Sequence, residues 1–219
     1  REGSDFRSRN AWNLLASNDE WVAPIMAEVG PDGNVWVLDW YNYIVQHKPT
    51  PAGFQNGKGN AYESDLRDKK HGRIYRLVYE LAAADPRASA PLASERAEEL
   101  VAALRRDNLL WRRHAQRLLV ERGKTDVVPQ LIVLVKDSSV DAIGLNVGAI
   151  HALWTLHGLG VVNDKHPQVL AAAINAMKHK SAGVRRNAAL VLPASPASAE
   201  AIVASGLTAD SDLQVRLAA

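Results

Sequence analysis

The sequence contains no cysteine. Disulfides, thiolate metal sites, cysteine nucleophiles and covalently attached haem are therefore excluded within this chain. No apolar run approaches the roughly 20 residues that a membrane-spanning helix needs, so we predict no membrane span. The formal charge is only +2 over 219 residues, so no global field directs the chain onto nucleic acid or a membrane surface. Walker, GxGxxG, GxSxG and HExxH motifs are also missing.

The stretch from residue 24 to residue 79 carries the strong β character of the chain. Pro24–Val29 and Val35–Trp40 read as two strands of a hairpin, because a turn of about five residues with proline, aspartate and glycine separates them. Gly72–Tyr79 alternates in polarity and predicts a third strand. The connection from Tyr41 to Lys70 is too long for a hairpin turn, and its prolines and glycines indicate irregular structure.

Three antiparallel strands make most of one blade of a β-propeller, which has four strands. A lone blade exposes two unpaired edges and both faces, and such a sheet is unstable in water. We therefore expect the missing blades to come from sequence upstream of this segment or from another chain.

From residue 94 onward the apolar residues recur with a helical period. The second helices of successive hairpins align on Ala115, Ala149, Ala188 and Ala219, with spacings of 34, 39 and 31 residues. This repetition is typical of an α-solenoid, and the segment VRRNAALVL resembles a HEAT-type repeat. The last repeat stops about one turn into its second helix, and we interpret it as truncated.

Helix-start signals support these hairpins. Ser94 is expected to cap a first helix that runs through Leu104, and Asp107 to cap the second. Gly123 ends that second helix, and Pro129 lies at the start of the next.

The predicted fold class is α+β and multidomain, with a partial propeller blade of antiparallel strands followed by HEAT-like helical hairpins. Residues 1–80 form the C-terminal part of a β-propeller, whose last blade carries the long loop 41–71. Residues 81–93 form a linker rich in alanine, proline and serine. Residues 94–219 form the HEAT-like repeats.

Two sequence segments resemble a known group of proteins. They are WNLLASNDEWVAPIMAEVGPDGNVWVLDWYNYIVQH and GNAYESDLRDKKHGRIYRL. Both are similar to the last blade of large secreted proteins of planctomycetes and verrucomicrobia, which carry a membrane-bound dehydrogenase domain or a haem-binding CxxCH motif. In that group a propeller resembling sorbosone and soluble glucose dehydrogenases is followed by HEAT repeats and often by a cytochrome c domain. The upstream blades and the CxxCH motif are absent from this sequence.

The resemblance implies a quinoprotein-dehydrogenase-like parent that oxidises a sugar or alcohol and passes electrons to a cytochrome. The parent would use pyrroloquinoline quinone (PQQ) and calcium, with haem c in a further domain, bind a carbohydrate, and be periplasmic or extracellular. This segment would hold no cofactor and carry no catalysis of its own, and would supply a closing blade and a HEAT scaffold. The alternative is a non-catalytic scaffold that binds a protein partner through the HEAT repeats.

Candidate ligand-binding residues follow the second strand. Asp39 and Asn42 offer the hard oxygens that suit calcium or a sugar hydroxyl, and Trp40 or Tyr41 offers a ring that stacks on a sugar or quinone. The alternative is that Asp39 caps a turn and Trp40 packs between blades.

Further candidates lie along the long loop. His47 and His71 flank it and are candidates for a base or a metal site, the alternative being neutral structural histidines. Arg67, His71 and Arg73 belong to a charged run that suits an anion such as a carboxylate or quinone, or else forms a solvated ion-pair network. Catalytic residues and metal ligands are not assigned.

The first helical hairpin is rich in basic residues. These are Arg105, Arg106, Arg112, Arg113, Arg117, Arg122 and Lys124. Nucleic-acid binding would need these cations on one face. Because they spread around two helices, we favour a solvated face or packing against the propeller.

Overall fold

The computed structural model describes residues 3–9, 12–43, 70–79, 92 and 96–219. The chain divides into two compact units, Asn10–Ser89 in one and Arg1–Arg9 with Ala90–Ala219 in the other. The described part of the first unit contains strands and that of the second contains helices, so the α+β class predicted from the sequence is confirmed. The predicted domain boundaries stay a prediction.

Three antiparallel strands form the sheet of the first unit, in the order β1-β2-β3. They are β1 (Pro24–Val29), β2 (Val35–Asp39) and β3 (Arg73–Leu77). The strand predictions are therefore confirmed to within one residue for the first two and two residues for the third. The hairpin turn covers five residues as predicted, and Gly33 has a φ of 79° there, in the left-handed region that glycine adopts without steric cost.

Asp32 holds this turn together. Its carboxylate accepts hydrogen bonds from the Asn34 N–H at 3.1 Å and the Trp36 indole N–H at 3.0 Å, and it pairs with Arg76 of β3 at 2.5 Å. The Trp36 hydrogen bond, followed by those of Asn34 and Arg76, holds the pKa of Asp32 far below its ordinary value, although desolvation opposes this. The Trp36 ring also lies where a side chain at Gly30 would project, so position 30 excludes larger residues.

The second unit contains eight α-helices in the described part of the chain. Their bounds are α1 (Ala97–Ala103), α2 (Leu109–Glu121), α3 (Val128–Lys136), α4 (Val147–Gly158), α5 (Pro167–Ala176), α6 (Ala182–Leu190), α7 (Pro196–Ala204) and α8 (Leu213–Ala218). Helices α2, α4, α6 and α8 pack in succession and form one layer, and α3 packs on α5 in another. An apolar core between the layers includes Leu104, Leu119, Leu131, Leu153 and Met177, each at most 1% exposed.

The helix termini correct the sequence prediction at one position. Asn108 caps α2, because its side chain accepts a hydrogen bond from the Leu110 N–H at 2.9 Å, and the predicted cap Asp107 precedes it. Gly123 follows the end of α2 with a φ of 61°, as predicted. Pro129 lies in the first turn of α3, also as predicted. Ser94 falls outside the described residues.

The structure also corrects the alignment of the repeats. The N-cap positions of the second helices are Asn108, Asn146, Ser181 and Asp212, which gives spacings of 38, 35 and 31 residues. Ala149 is then the third residue after its N-cap, whereas the other three alanines of the sequence alignment are the seventh. The middle repeat was therefore aligned one helical turn out of register.

An N-terminal segment closes the end of the helical unit. The Ser4 N–H and hydroxyl donate to the Asp212 carboxylate at 2.6 and 2.8 Å, and that carboxylate also accepts from the Gln214 and Val215 N–H groups at the start of α8. Desolvation opposes ionisation, but these hydrogen bonds outweigh it and lower the pKa of Asp212. Ser4 and Asp212 are therefore joined across 208 positions of the sequence.

Candidate functional site

Asp39, the last residue of β2, lies at the centre of the candidate site. Its side chain is only 3% exposed. One carboxylate oxygen accepts from the Ala23 N–H at 2.7 Å and the Tyr41 N–H at 2.8 Å, and the other accepts from the Tyr75 hydroxyl at 2.9 Å. The carboxylate therefore joins the residue before β1, the turn after β2 and the middle of β3.

The protonation of Asp39 follows from these partners. Desolvation by burial favours the neutral acid, but the two backbone N–H groups, the Tyr75 hydroxyl and the charge of Arg73 outweigh it and lower the pKa of Asp39. Asp39 is therefore an anion at neutral pH and lacks the raised pKa of a general acid. Its bond to the N–H two residues later is the turn capping that we gave as the alternative to ligand binding.

Tyr41 lies next to Asp39 in the site. Its φ of 51° is unusual for an aromatic residue and is the single non-glycine positive φ of the described residues. The Tyr41 hydroxyl donates to the Asp19 carboxylate at 3.2 Å. Desolvation and this hydrogen bond raise the pKa of Tyr41, so the phenol stays protonated at neutral pH.

Arg73 covers the free face of the Tyr41 ring. Its guanidinium carbon lies 3.3 Å from the ring centroid, and one terminal nitrogen lies 3.6 Å from the Asp19 carboxylate. A cation held on the face of an aromatic ring and beside a carboxylate gains both cation–π and ionic attraction. The positive charge predicted to receive an anion is thus already engaged with Asp19 and Tyr41.

Two more aromatic rings, those of Trp21 and Tyr43, belong to the same cluster as Tyr41. Trp21 lies 5.9 Å from Tyr41 and 6.2 Å from Tyr43 between ring centroids, with interplanar angles of 33° and 47°. These tilted contacts are typical of packed aromatic pairs. Tyr43 remains 45% exposed, so one edge of the cluster is open to solvent.

The structure brings together two of the predicted site residues, Asp39 and Arg73, since the charge of Arg73 acts on the Asp39 carboxylate. Asn42 is buried with 3% exposure, whereas Trp40 is 40% exposed and Arg73 is exposed at the end of β3. His71 is exposed at the entry to β3. His47 and Arg67 lie outside the described residues.

Sequence reasoning missed three members of the cluster. Asp19 and Trp21 were not assigned to the site, and Tyr75 was interpreted only as a residue of the third strand. Asp19 had one local signal, since its carboxylate caps its own backbone at Trp21 in a short polar turn. The alignment of Tyr75 with Asp39 depends on strand register, which sequence spacing does not give.

The described residues contain no group of three or more histidine or acidic side chains arranged to hold a metal ion. Within the same residues, no helix has the length and apolar character required to cross a membrane.

Comparison with known proteins gives one match. Residues 1–81 match the model of a domain of unknown function (DUF7133). No curated protein and no solved structure matches the chain. The matched segment spans the three strands and the whole Asp39 cluster, so that cluster lies inside a region shared with other proteins.

Proposed function

We propose that this chain is a scaffolding segment of a secreted, quinoprotein-dehydrogenase-like protein. Residues 12–79 form a closing propeller blade, and the helices from residue 94 onward form a HEAT-type solenoid. The parent protein oxidises a sugar or an alcohol with PQQ and passes the electrons to a cytochrome. The segment itself positions neighbouring parts and carries no catalytic residue.

The observation that carries this proposal is an apolar row across the sheet. Met26 pairs with Leu38, and Leu38 pairs with Ile74, so the three side chains project from one face. They are 50%, 40% and 65% exposed. Exposed apolar residues in a continuous row mark a surface that is covered in the functional assembly. Propeller blades pack through their faces, and a neighbouring blade supplies such a cover.

The chemistry of Asp39 supports the scaffolding part of the proposal. Both oxygens of its carboxylate are engaged by groups of the chain, and the nearby Arg73 is paired with Asp19 and Tyr41. Calcium or a sugar would have to displace these partners. The cluster therefore suits fixing the end of β2 against β3 better than exchanging a ligand.

The redox part is tested on the intact protein isolated from its source. We expect it to bind PQQ and to reduce an artificial electron acceptor with at least one member of a panel of sugars and alcohols. Failure to bind the quinone, together with no acceptor reduction across the panel, would refute this part.

The scaffolding part is tested with Leu38→Lys in the intact protein. The change places a charge in the apolar row, so we expect it to expose the β1 and β3 amides to hydrogen exchange. Leu14→Lys, at an apolar side chain that is 68% exposed and lies outside the three strands, is the control. Equal exchange in both variants would contradict a covered face.

A second function is a non-catalytic scaffold that binds a protein partner through the helical unit. The observation that favours it is the charge of the second helices, α2, α4, α6 and α8, which carry six arginines and one glutamate. A pull-down of a partner that depends on residues 94–219, in a protein without redox activity, would support this function over the first.

A further inference from the structure

Charge is divided unequally between the two kinds of helix in the helical unit. The first helices of the hairpins, α1, α3, α5 and α7, carry three glutamates and one lysine. The second helices carry Arg112, Arg113, Arg117, Arg185, Arg186 and Arg216 against Glu121 alone. Because the second helices pack in succession, their layer concentrates positive charge that the net charge of +2 conceals.

Three of these positions form a row across consecutive helices. Arg113, His151 and Arg186 are each the fifth residue after the N-cap of α2, α4 and α6. The third and seventh residues after each cap are buried in the core. At 100° per residue, the fifth position lies ~180° from the midpoint of those two. The row therefore lies on the side of the helices opposite the core, with Arg113 exposed and His151 and Arg186 half-buried, and we call it the arginine row.

Side-chain hydrogen bonds tie the helices together along the arginine row. The His151 Nδ1–H donates to the Gln116 side-chain oxygen at 2.7 Å, which links α4 to α2. The Trp154 indole N–H donates to the Asn187 side-chain oxygen at 2.7 Å, which links α4 to α6. These bridges fix the separation of the two arginines that end the row.

The charges of the row are not neutralised by the described residues. Neither the Arg113 nor the Arg186 side chain makes a hydrogen bond or an ion pair with any described residue. Arg112 lies beside the row, and its buried Nε also has no hydrogen-bond partner there. Burial lowers the pKa of His151, and the charges of Arg112 and Arg113 act in the same direction.

A contact within the chain shows the chemical group that an arginine of this layer binds, which is a carboxylate. Arg185 of α6 binds the Asp210 carboxylate through two parallel hydrogen bonds. Its Nε–H donates to one oxygen at 2.7 Å and its Nη2–H to the other at 2.8 Å. Such a fork is the geometry in which arginine binds carboxylates most strongly. Asp210 belongs to the loop before the next second helix, so one helix of this layer already receives a carboxylate from a neighbouring segment.

We propose that the arginine row is a docking surface for an acidic, extended peptide segment of a partner protein. Packed helices lie 8–10 Å apart, so Arg113 and Arg186 are separated by roughly 16–20 Å. An extended chain advances about 3.3 Å per residue, and carboxylates about six residues apart therefore meet both arginines. A single-stranded nucleic acid fits less well, because Trp111 of α2 is only 8% exposed and Trp154 of α4 is half-buried and bonded to Asn187, so neither tryptophan offers an open platform for base stacking.

This inference deepens the second of the two proposed functions by naming the surface and the chemistry of the partner. The test uses the full 219-residue chain and a fluorescent eight-residue peptide with a glutamate pair at each end and serine and glycine between, so that the pairs are about six residues apart. We expect binding at low salt that weakens as salt is added, and no binding of the same peptide with lysine in place of glutamate.

Arg113→Glu with Arg186→Glu should weaken peptide binding about tenfold or more, since each change replaces an attraction by a repulsion. Lys124→Glu with Lys165→Glu makes the same change in net charge at two exposed loop positions, and it should alter binding less than about twofold. Far-ultraviolet circular dichroism checks folding. Arg113→Gln with Arg186→Gln, which removes charge without adding repulsion, should also weaken binding if the reversed variant unfolds.

Three results of the peptide-binding experiment would overturn the inference. They are no binding of the glutamate peptide to the unmodified chain, an equal loss in the control variant, and tighter binding of a single-stranded oligonucleotide that depends on the same two arginines. Capture of a protein partner that is unaffected by the Arg113 and Arg186 changes would also refute the docking surface, yet leave the second proposed function standing.

Discussion

The sheet unit and the helical unit are each stabilised internally by a different kind of interaction. Among the described strand residues, the buried side chains are Val37 and Asp39, and the contacts that join the strand ends are hydrogen bonds and ring contacts. The helical unit has a continuous apolar core that extends from Ala97 to Val215. The comparison shows that one chain combines a region stabilised by directional polar bonds with a region stabilised by apolar burial.

The largest effect is expected from a cavity in the helical core. Leu153→Ala removes a fully buried side chain of α4 and should lower the free energy of unfolding by about 3–4 kcal/mol. Urea unfolding followed by helical circular dichroism measures the change. Leu217→Ala, at a side chain that is 80% exposed, is the matched control and should cost less than about 0.5 kcal/mol. Similar costs for both variants would contradict an apolar core.

The sheet should respond most strongly to loss of a polar group. Asp39→Ala leaves two backbone N–H groups and the Tyr75 hydroxyl without their acceptor, and should destabilise the sheet locally by about 2–3 kcal/mol. Hydrogen exchange of the Ala23 and Tyr41 amides reports this directly. Tyr75→Phe removes one of the three bonds and should cost about 1 kcal/mol. An Asp39→Ala variant with unchanged protection of both amides would disprove the central role of this carboxylate.

The two units are expected to lose stability at different pH values when the solution is acidified. Burial, Arg112 and Arg113 lower the pKa of His151 from 6.5 to about 4, so the unfolded chain binds a proton more readily than the folded chain between these values. Stability is therefore complete well above pH 6.5 and falls by about 3 kcal/mol as the pH drops to 4. His151→Gln should remove this loss in a pH series of urea-unfolding curves.

The carboxylate of Asp39 acts at lower pH. Its folded-state pKa lies below the ordinary value of 3.8, so its contribution is complete above pH 3.8 and disappears as the pH falls through the folded-state value. Exchange at the Ala23 and Tyr41 amides should consequently stay protected between pH 6.5 and 4. Loss of that protection between pH 6.5 and 4 would contradict the prediction that the two units respond to acid at different pH values.

The smallest effect is expected at the surface of the sheet. Arg73→Ala removes the exposed cation that lies over the Tyr41 ring and beside Asp19, and should weaken the sheet less than Tyr75→Phe does. The Arg73→Lys variant keeps the charge but lacks the flat guanidinium, and should recover less than half of the loss. Exchange of the Tyr41 amide distinguishes the variants, and a cost comparable to that of Asp39→Ala would show that the ring contact matters more than the carboxylate.

Local signals in the sequence were sufficient for the elements of both units. Alternation located β3, the turn signal located the hairpin of β1 and β2, and the end of α2 at Gly123 followed from the backbone preference of glycine. The register of the middle repeat failed because the position of α4 that corresponds to the other three alanines holds Leu153, so an alignment on alanine alone selected Ala149, four residues earlier.

The Asp39 cluster was only partly predictable. The position of Asp39 at a strand end was visible in the sequence, and so was its ability to cap a turn. Its bond to Tyr75 spans 36 residues and depends on how β2 and β3 align, and the Asp19 contact with Tyr41 spans 22. Neither pairing leaves a local pattern, because both result from the tertiary arrangement of the sheet.

The row of Met26, Leu38 and Ile74 also has a consequence for how the chain behaves in the test tube. A surface that gains free energy from any apolar cover will accept a second copy of itself when the intended neighbour is missing. Association of this kind follows mass action, so the apparent size of the chain should grow with protein concentration and shrink after Leu38→Lys. The sedimentation coefficient of this protein would then report how completely its sheet is covered.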